Sequence, residues 1–216
     1  HLEGGGDAAV WDFTQLGEGL RNTVPLVGRA GLGHGLLHWS ANFDEVQDFE
    51  GPIRSLGGGF GFLDAAQFAA TADPLGAPMA GLSVHLDYLA PSLAPRDSSP
   101  RSPHRDPSGA RTAAGIRGET VFTTSGCAAC HAPPTFTDGL RHDVGTALPS
   151  SGLGNGAPLG GVGFDTPTLR GVWATAPYLH DGRLRTLEDV LALPGHGAAL
   201  GPADRADLAA YLRELE

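Results

Sequence analysis

Cys127-Ala128-Ala129-Cys130-His131 holds both cysteines of the chain and places an imidazole directly after the second thiol. C-x-x-C-H is the spacing of covalent c-type haem attachment. Two thiolates three positions apart reach the two vinyl groups of one porphyrin, and the adjacent imidazole becomes the proximal ligand of its iron. A haem held in this way serves electron transfer or peroxide chemistry. Three other chemistries use the same residue types. A thioredoxin-type dithiol needs a βαβ setting and leaves His131 without a task. Half of a zinc site needs a second ligand pair, and of the nine histidines only His34 and His38 have the H-x₃₋₅-H spacing. A plain structural disulfide is the third.

The motif needs helices to position it. Residues 111–122, just before it, read as a helix whose Ile116 and small residues can pack against another helix. Residues 202–216 have helical apolar spacing and contain Ala210-Tyr211-Leu212-Arg213. If the first and last helices of a haem domain cross, Ile116 and Phe122 meet the face of Leu208, Tyr211 and Leu212, and the small residues permit a close crossing. Residues 79–89 have a similar helical spacing, so both halves of the chain end on a similar helix. Between the halves, residues 91–111 carry five prolines and almost no apolar side chains, which reads as a linker or long surface loop. Residues 136–163 are rich in Gly, Pro and Ser and read as loop. Little of the chain looks like paired strands, so the expected fold is mostly α with long irregular loops.

A length of 216 residues allows one ordinary domain or two small ones, with a core large enough to leave the cysteines free for chemistry. Hydrophobic residues make up 41%, and no apolar run is long enough to cross a bilayer, so membrane insertion is not expected. A formal charge of −10 repels phosphate backbones and argues against nucleic acid as a partner. A small neutral substrate or a basic redox protein fits better. All 14 basic side chains are arginine, which reads as coding bias. The opening His1-Leu2-Glu3-Gly4-Gly5 lacks the basic and apolar regions of an export signal, so such a segment is expected to have been removed or omitted.

The second half also carries Phe136-Thr137-Asp138, then Phe164-Asp165-Thr166-Pro167-Thr168-Leu169-Arg170-Gly171-Val172, then Thr175-Ala176-Pro177-Tyr178-Leu179-His180-Asp181-Gly182 with Thr186-Leu187. With the C-x-x-C-H motif these closely resemble, in order over residues 112–216, the C-terminal domain of bacterial di-haem cytochrome c peroxidases and MauG-like proteins. More weakly, Trp11-Asp12-Phe13-Thr14, Gly19-Leu20-Arg21-Asn22-Thr23 and the stretch from His38 to Glu50 look like the N-terminal haem domain of MauG-like proteins. The resemblance implies two cytochrome c-like haem domains: an N-terminal domain over residues 1–90, truncated at its haem motif, a linker over 91–111, and a C-terminal domain over 112–216. It implies haem c at Cys127 and Cys130, and calcium at the domain interface, for which this chain shows no ligand motif. In bacteria such haem is attached outside the cytoplasm, so the periplasm or cell surface is the expected location.

His1 is where a first haem motif would end, which makes it the surviving iron ligand of a second haem. A tag or processing remnant, or a copper site built from the terminal amine and imidazole, are the alternatives. In the family the C-terminal haem takes a methionine beyond the Pro-Tyr-x-His-Asp-Gly motif. Here that region, residues 192–197, has none, which points to His196 as the distal ligand of the iron held by His131, with His180 the alternative and Met79, the only methionine, more suited to a core. Tyr178, His180 and Asp181 form a polar cluster at the haem edge or stabilise a turn. Arg170 could neutralise a haem propionate or form a surface salt bridge.

In the first half, peroxide cleavage needs an open iron and a nearby acid, for which Glu45, Asp48 and Glu50 are candidates; a block of acids is also an ordinary solvated face. His34 and His38 could instead close the distal side of the first iron and abolish peroxidase activity. Trp39 could relay electrons between haems or serve as buried packing. The expected function is movement of electrons between haems from a redox partner protein, with reduction of hydrogen peroxide as the specific enzyme activity. The rival is a non-enzymatic multihaem carrier with six-coordinate bis-histidine irons in a larger assembly. A fragment of a longer chain whose function lies in another domain is the third reading.

Overall fold

The computed structural model describes residues 7–24, 37–43, 49–55, 58–61, 63–70, 101–154 and 157–216. In chain order these form the strands β1 (Val10–Phe13) and β2 (Gly19–Asn22), and the helices α1 (Glu50–Ser55), α2 (Ala65–Ala70) and α3 (Ala113–Thr124). The short strands β3 (Arg141–His142), β4 (Leu153–Gly154), β5 (Ala157–Pro158) and β6 (Phe164–Asp165) follow, and then the helices α4 (Leu187–Leu191) and α5 (Pro202–Arg213). The strands pair only as antiparallel two-stranded ribbons, β1 with β2, β3 with β6 and β4 with β5. Most of the rest is turn and loop held by single backbone hydrogen bonds, so the described fold is helical and irregular, as its glycine and proline content leads one to expect.

The second half is built on the crossing of α3 and α5. Thr112 caps α3, its Oγ1 accepting from Gly115 N at 3.0 Å. α5 starts at Pro202, whose fixed φ suits the first helical position. Gly115, Gly118 and Phe122 lie on one face of α3 at the i, i+3, i+7 spacing, and all three are buried. Phe122 meets the Tyr211 ring at 5.3 Å and the Phe136 ring at 6.0 Å. Leu208, Ala209, Leu212, Leu215, Leu187 and Leu191 complete the core around them.

One sequence expectation is corrected here. Ile116 does not enter the crossing; it is 56% exposed. One residue on from Gly115 is about 100° around the helix, so the glycines occupy the facing side and Ile116 points away from it. Close approach of the backbones, not an apolar knob, makes this contact.

From residue 101 onward the Pro/Ser/Arg-rich segment is surface loop strapped to the end of α5. Ser102 Oγ donates to Arg213 O at 2.5 Å, Ser102 N to Glu216 Oε1 at 2.9 Å, and Arg105 Nε to Glu214 O at 3.0 Å. Glu214, 1% exposed, accepts from Thr112 N and from Thr112 Oγ1, which fastens the start of α3 to the end of α5. Residues 91–100 and 79–89 lie outside the described residues.

The first half docks through its hairpin. Leu153 N donates to Gly17 O at 2.7 Å, Arg21 Nη2 to Ser151 O at 2.8 Å, and Asn22 N to His180 O at 2.5 Å. Asp165 N reaches Trp39 O at 2.9 Å. Backbone carbonyls therefore seat β2 and Trp39 on the loops that carry residues 150–180.

Candidate haem site

α3 ends at Thr124, and Gly126 turns the chain with φ +79°, a left-handed conformation that glycine adopts without strain. The motif then winds into a single 3₁₀ turn over Cys127–Ala129, closed by Cys130 N and His131 N, which both donate to Cys127 O at 3.4 and 3.0 Å. That turn aims both thiols and the imidazole into one cavity of about 640 Å³, within the range of small-molecule and cofactor sites. Its walls are mostly apolar: Phe122, Leu169, Val172, Leu191, Leu208 and Leu212 all line it. The core of the second half is thus wrapped around a space rather than closed on itself.

The two thiols are free, not joined in a disulfide. Burial pushes both above their ordinary pKa, and Asp138 adds to the effect at Cys130. His131 Nδ1 donates to Phe136 O at 3.0 Å. This bond fixes the tautomer and leaves Nε2 as the bare nitrogen, the arrangement of a metal-ligating histidine. Burial holds His131 below its ordinary pKa against the pull of the Phe136 carbonyl and Asp138.

His196 lines the same cavity from the loop after α4, where Gly195 (φ +83°) and Gly197 (φ +139°) flank it. Its Nδ1 is buried without a hydrogen-bond partner among the described residues. Burial, and then the charge of His131, hold its pKa down. Two neutral imidazoles from opposite ends of the domain sequence therefore face one apolar cavity that also presents two thiols. These residues fit a haem c, which Cys127, Cys130 and His131 would hold.

His180 lines the cavity too, but it is held differently. It is 1% exposed, stacked on Phe164 at 3.9 Å with 17° between the planes, and paired through Nε2 with Ser151 Oγ at 2.8 Å. Burial depresses its pKa to about 4; Asp181 opposes that shift, and the charges of Arg21 and Arg183 add to it. Trp39 sits edge-on to both Phe164 (6.3 Å) and His180 (6.5 Å), lines the cavity, and donates from Nε1 to Asn22 O at 2.9 Å. Tyr178 also lines the cavity, with its hydroxyl donating to Val172 O at 3.2 Å.

Other sequence-selected residues stand apart from the cavity lining. Arg170 is not among the lining residues; its Nε donates to Glu216 O at 2.8 Å, tying the segment after α5 rather than a carboxylate in the cavity. His38 has φ +67°, bonds Asn42 Oδ1 through Nδ1 at 2.8 Å, and packs against Phe43 and Phe49 at 4.2 and 4.8 Å. Glu50 is fully buried at the start of α1, where Oε1 accepts from Arg54 Nε and Nη2 at 2.9 and 2.8 Å and from Leu63 N at 3.0 Å. That geometry anchors α1 to the chain before α2. His1, His34, Glu45, Asp48 and Met79 lie outside the described residues.

Two lining or supporting residues carried no signal in the sequence. Ser151, which with Phe164 holds His180, comes from a glycine-rich loop without periodicity. His142, paired with Asp138 at 2.7 Å, lines the cavity beside Cys130, and the three ligand atoms lie within 4.8 Å of one another. Of these, only the four-residue spacing of Asp138 and His142 could have been noticed.

A family model described as RoxA-like, cytochrome c-like matches residues 163–194, the stretch that carries Phe164, Tyr178 and His180. The methylamine utilization protein MauG of Methylorubrum extorquens is 36% identical over 119 residues, 46% of this chain and 34% of that protein. Cytochrome c551 peroxidase of Pseudomonas aeruginosa is 33% identical over 113 residues, 46% of this chain and 33% of that protein. Hydrazine synthase subunit gamma of Kuenenia stuttgartiensis is 31% identical over 156 residues, 53% of this chain and 44% of that protein. A chain of the xenon-pressurized hydrazine synthase of the same organism superposes with a TM-score of 0.59 at 24% identity, covering 97% of this chain and 77% of that one, which shows the fold. The sequence matches span from a third to less than half of the length of these curated relatives.

Proposed function

We propose, from the chain's relationship to the MauG-like di-haem cytochrome c peroxidases, that it is a c-type cytochrome of the periplasm or cell surface. Cys127, Cys130 and His131 would hold one haem c, and His196 would be its second axial ligand. The observation that carries this reading is that His131 and His196, both kept neutral by burial, border the one cavity into which the C-x-x-C-H turn opens. A haem bound there supplies one-electron storage, at a lower potential with two histidines than with histidine and methionine.

The chain's own residues do the rest. Phe136 O holds the His131 ring in place through Nδ1. His196, which lines the same cavity, would hold the iron as a second ligand and keep peroxide from it, and the apolar walls would exclude water. Trp39, fixed by its bond to Asn22 O, lines the cavity from the first half and would pass electrons onward. Reduction of hydrogen peroxide would need a second haem, for which His1 would be a ligand, with Glu45 or Asp48 as the acid, since Glu50 is engaged with Arg54, and a redox partner protein as the electron source.

A second reading has its own support. The likeness to a hydrazine synthase subunit supports membership of a larger assembly, and the commitment of the Glu50 carboxylate to Arg54 removes one candidate acid; an electron carrier with six-coordinate irons would fit both. Haem stoichiometry by pyridine haemochrome with intact mass, followed by peroxide addition to the reduced protein, separates the two. Two haems and rapid peroxide loss support the peroxidase. A low-spin spectrum unmoved by peroxide and cyanide supports the carrier, and a mass without covalent haem overturns both.

A further inference from the structure

Ser151 and His180 form a buried pair whose protons can be counted. The Ser151 hydroxyl oxygen accepts from Leu148 N at 2.8 Å and lies 2.8 Å from His180 Nε2. Ser151 is 3% exposed, and among the described residues no acceptor other than Nε2 is within hydrogen-bond distance of its hydroxyl proton. A serine hydroxyl has one proton to give. If Nε2 were protonated, that hydroxyl proton would be buried without an acceptor; donating it to a bare Nε2 satisfies both atoms. The neutral ring then carries its own proton on Nδ1. Nδ1 is buried and meets no partner among the described residues, although His180 lines the cavity. A buried donor left like this has lost its water without a replacement unless something accepts from it.

We propose that His180 Nδ1–H is a hydrogen-bond donor to a carboxylate in the cavity, a haem propionate, and that Ser151 is the positioning residue that fixes the donating tautomer. The inference rests on the haem reading above. A haem held through thioethers at Cys127 and Cys130 would have its vinyl-derived edge there and its two carboxylates at the opposite edge, where they would need polar partners that the cysteine turn does not provide. Arg170, the residue the sequence suggests for that task, is engaged with Glu216 O instead. Stacking on Phe164 keeps the His180 ring from turning away.

The test uses the haem-loaded chain, reduced so that a low-spin iron is diamagnetic. Long-range ¹H–¹⁵N spectra should show His180 as the Nδ1–H tautomer, and resonance Raman should show the propionate bending band shifted in His180→Phe, which keeps the stacked ring and loses the donor. Ser151→Ala should redistribute the tautomer and move the same band part of the way. A wild-type His180 protonated on Nε2, or a propionate band unmoved in a haem-loaded His180→Phe, overturns the proposal while the haem reading stands. Loss of the low-spin spectrum in His180→Phe also overturns it, by making His180 an axial ligand. Absence of covalent haem from the wild-type mass overturns the haem reading and this proposal with it. Should His180→Phe not fold, the wild-type tautomer and the Ser151→Ala spectra decide.

Discussion

Gly118 allows α3 to lie directly on Tyr211: a Cβ at Gly118 would come 2.7 Å from the Tyr211 Cβ and 2.0 Å from the Asp207 carbonyl oxygen. The second contact is to backbone, which cannot swing aside. Gly118→Ala therefore has to push the two helices apart, and the core that lines the cavity moves with them. Overpacking of this kind costs about 1–3 kcal/mol. Urea denaturation should show a loss of at least that size for Gly118→Ala, whereas the exposed Ile116→Ala should stay within about 0.5 kcal/mol of wild type.

Replacement of His196 should change what the cavity's iron can bind. His196→Ala should convert the low-spin spectrum of the haem-loaded chain to high-spin and let cyanide bind, while His196→Met should stay low-spin and raise the midpoint potential. A low-spin spectrum that persists in His196→Ala without added ligand would transfer the axial role to another residue.

His180 should make stability depend on pH. Its pKa in the folded chain is about 4, below the ordinary 6.5, so between those values the unfolded chain binds a proton that the folded chain does not. Its contribution is complete above pH 6.5 and is lost as pH falls toward 4, with a slope of at most about 1.4 kcal/mol per pH unit. Urea midpoints at pH 7 and pH 5 should fall further in wild type than in His180→Phe. Equal falls would show that the imidazole is not shielded from protonation.

Glu214 joins the two ends of the second half, and its loss should be felt at both. Glu214→Ala leaves half-buried Thr112 N and Thr112 Oγ1 without their acceptor and removes a buried anchor, at a cost of about 1 kcal/mol. Hydrogen exchange should rise first in the opening turn of α3. Exchange confined to the last turn of α5 would place the anchor elsewhere.

The features legible in short stretches of chain are local. The thiols and imidazole of residues 127–131 are brought together by one turn of chain, so their proximity is legible from their spacing. The helices of residues 113–124 and 202–213 are written in periodicity that a short window captures. The pairing of Glu50 with Arg54 is likewise an i, i+4 contact on one helix. Tertiary structure decided whatever depends on contacts between distant loops. Ile116 was the apolar residue in view, yet the direction of the crossing turned the glycines inward. Arg170 had the chemistry for a propionate, but the segment after α5 lies within its reach. His180 and His196 both belong to polar, glycine-rich stretches, and only the packing of Ser151 and Phe164, 29 and 16 positions away from His180, distinguishes them. Loops without a period carry no record of their partners in the sequence; their positions are set by the backbone hydrogen bonds and close contacts that form when the helices have met.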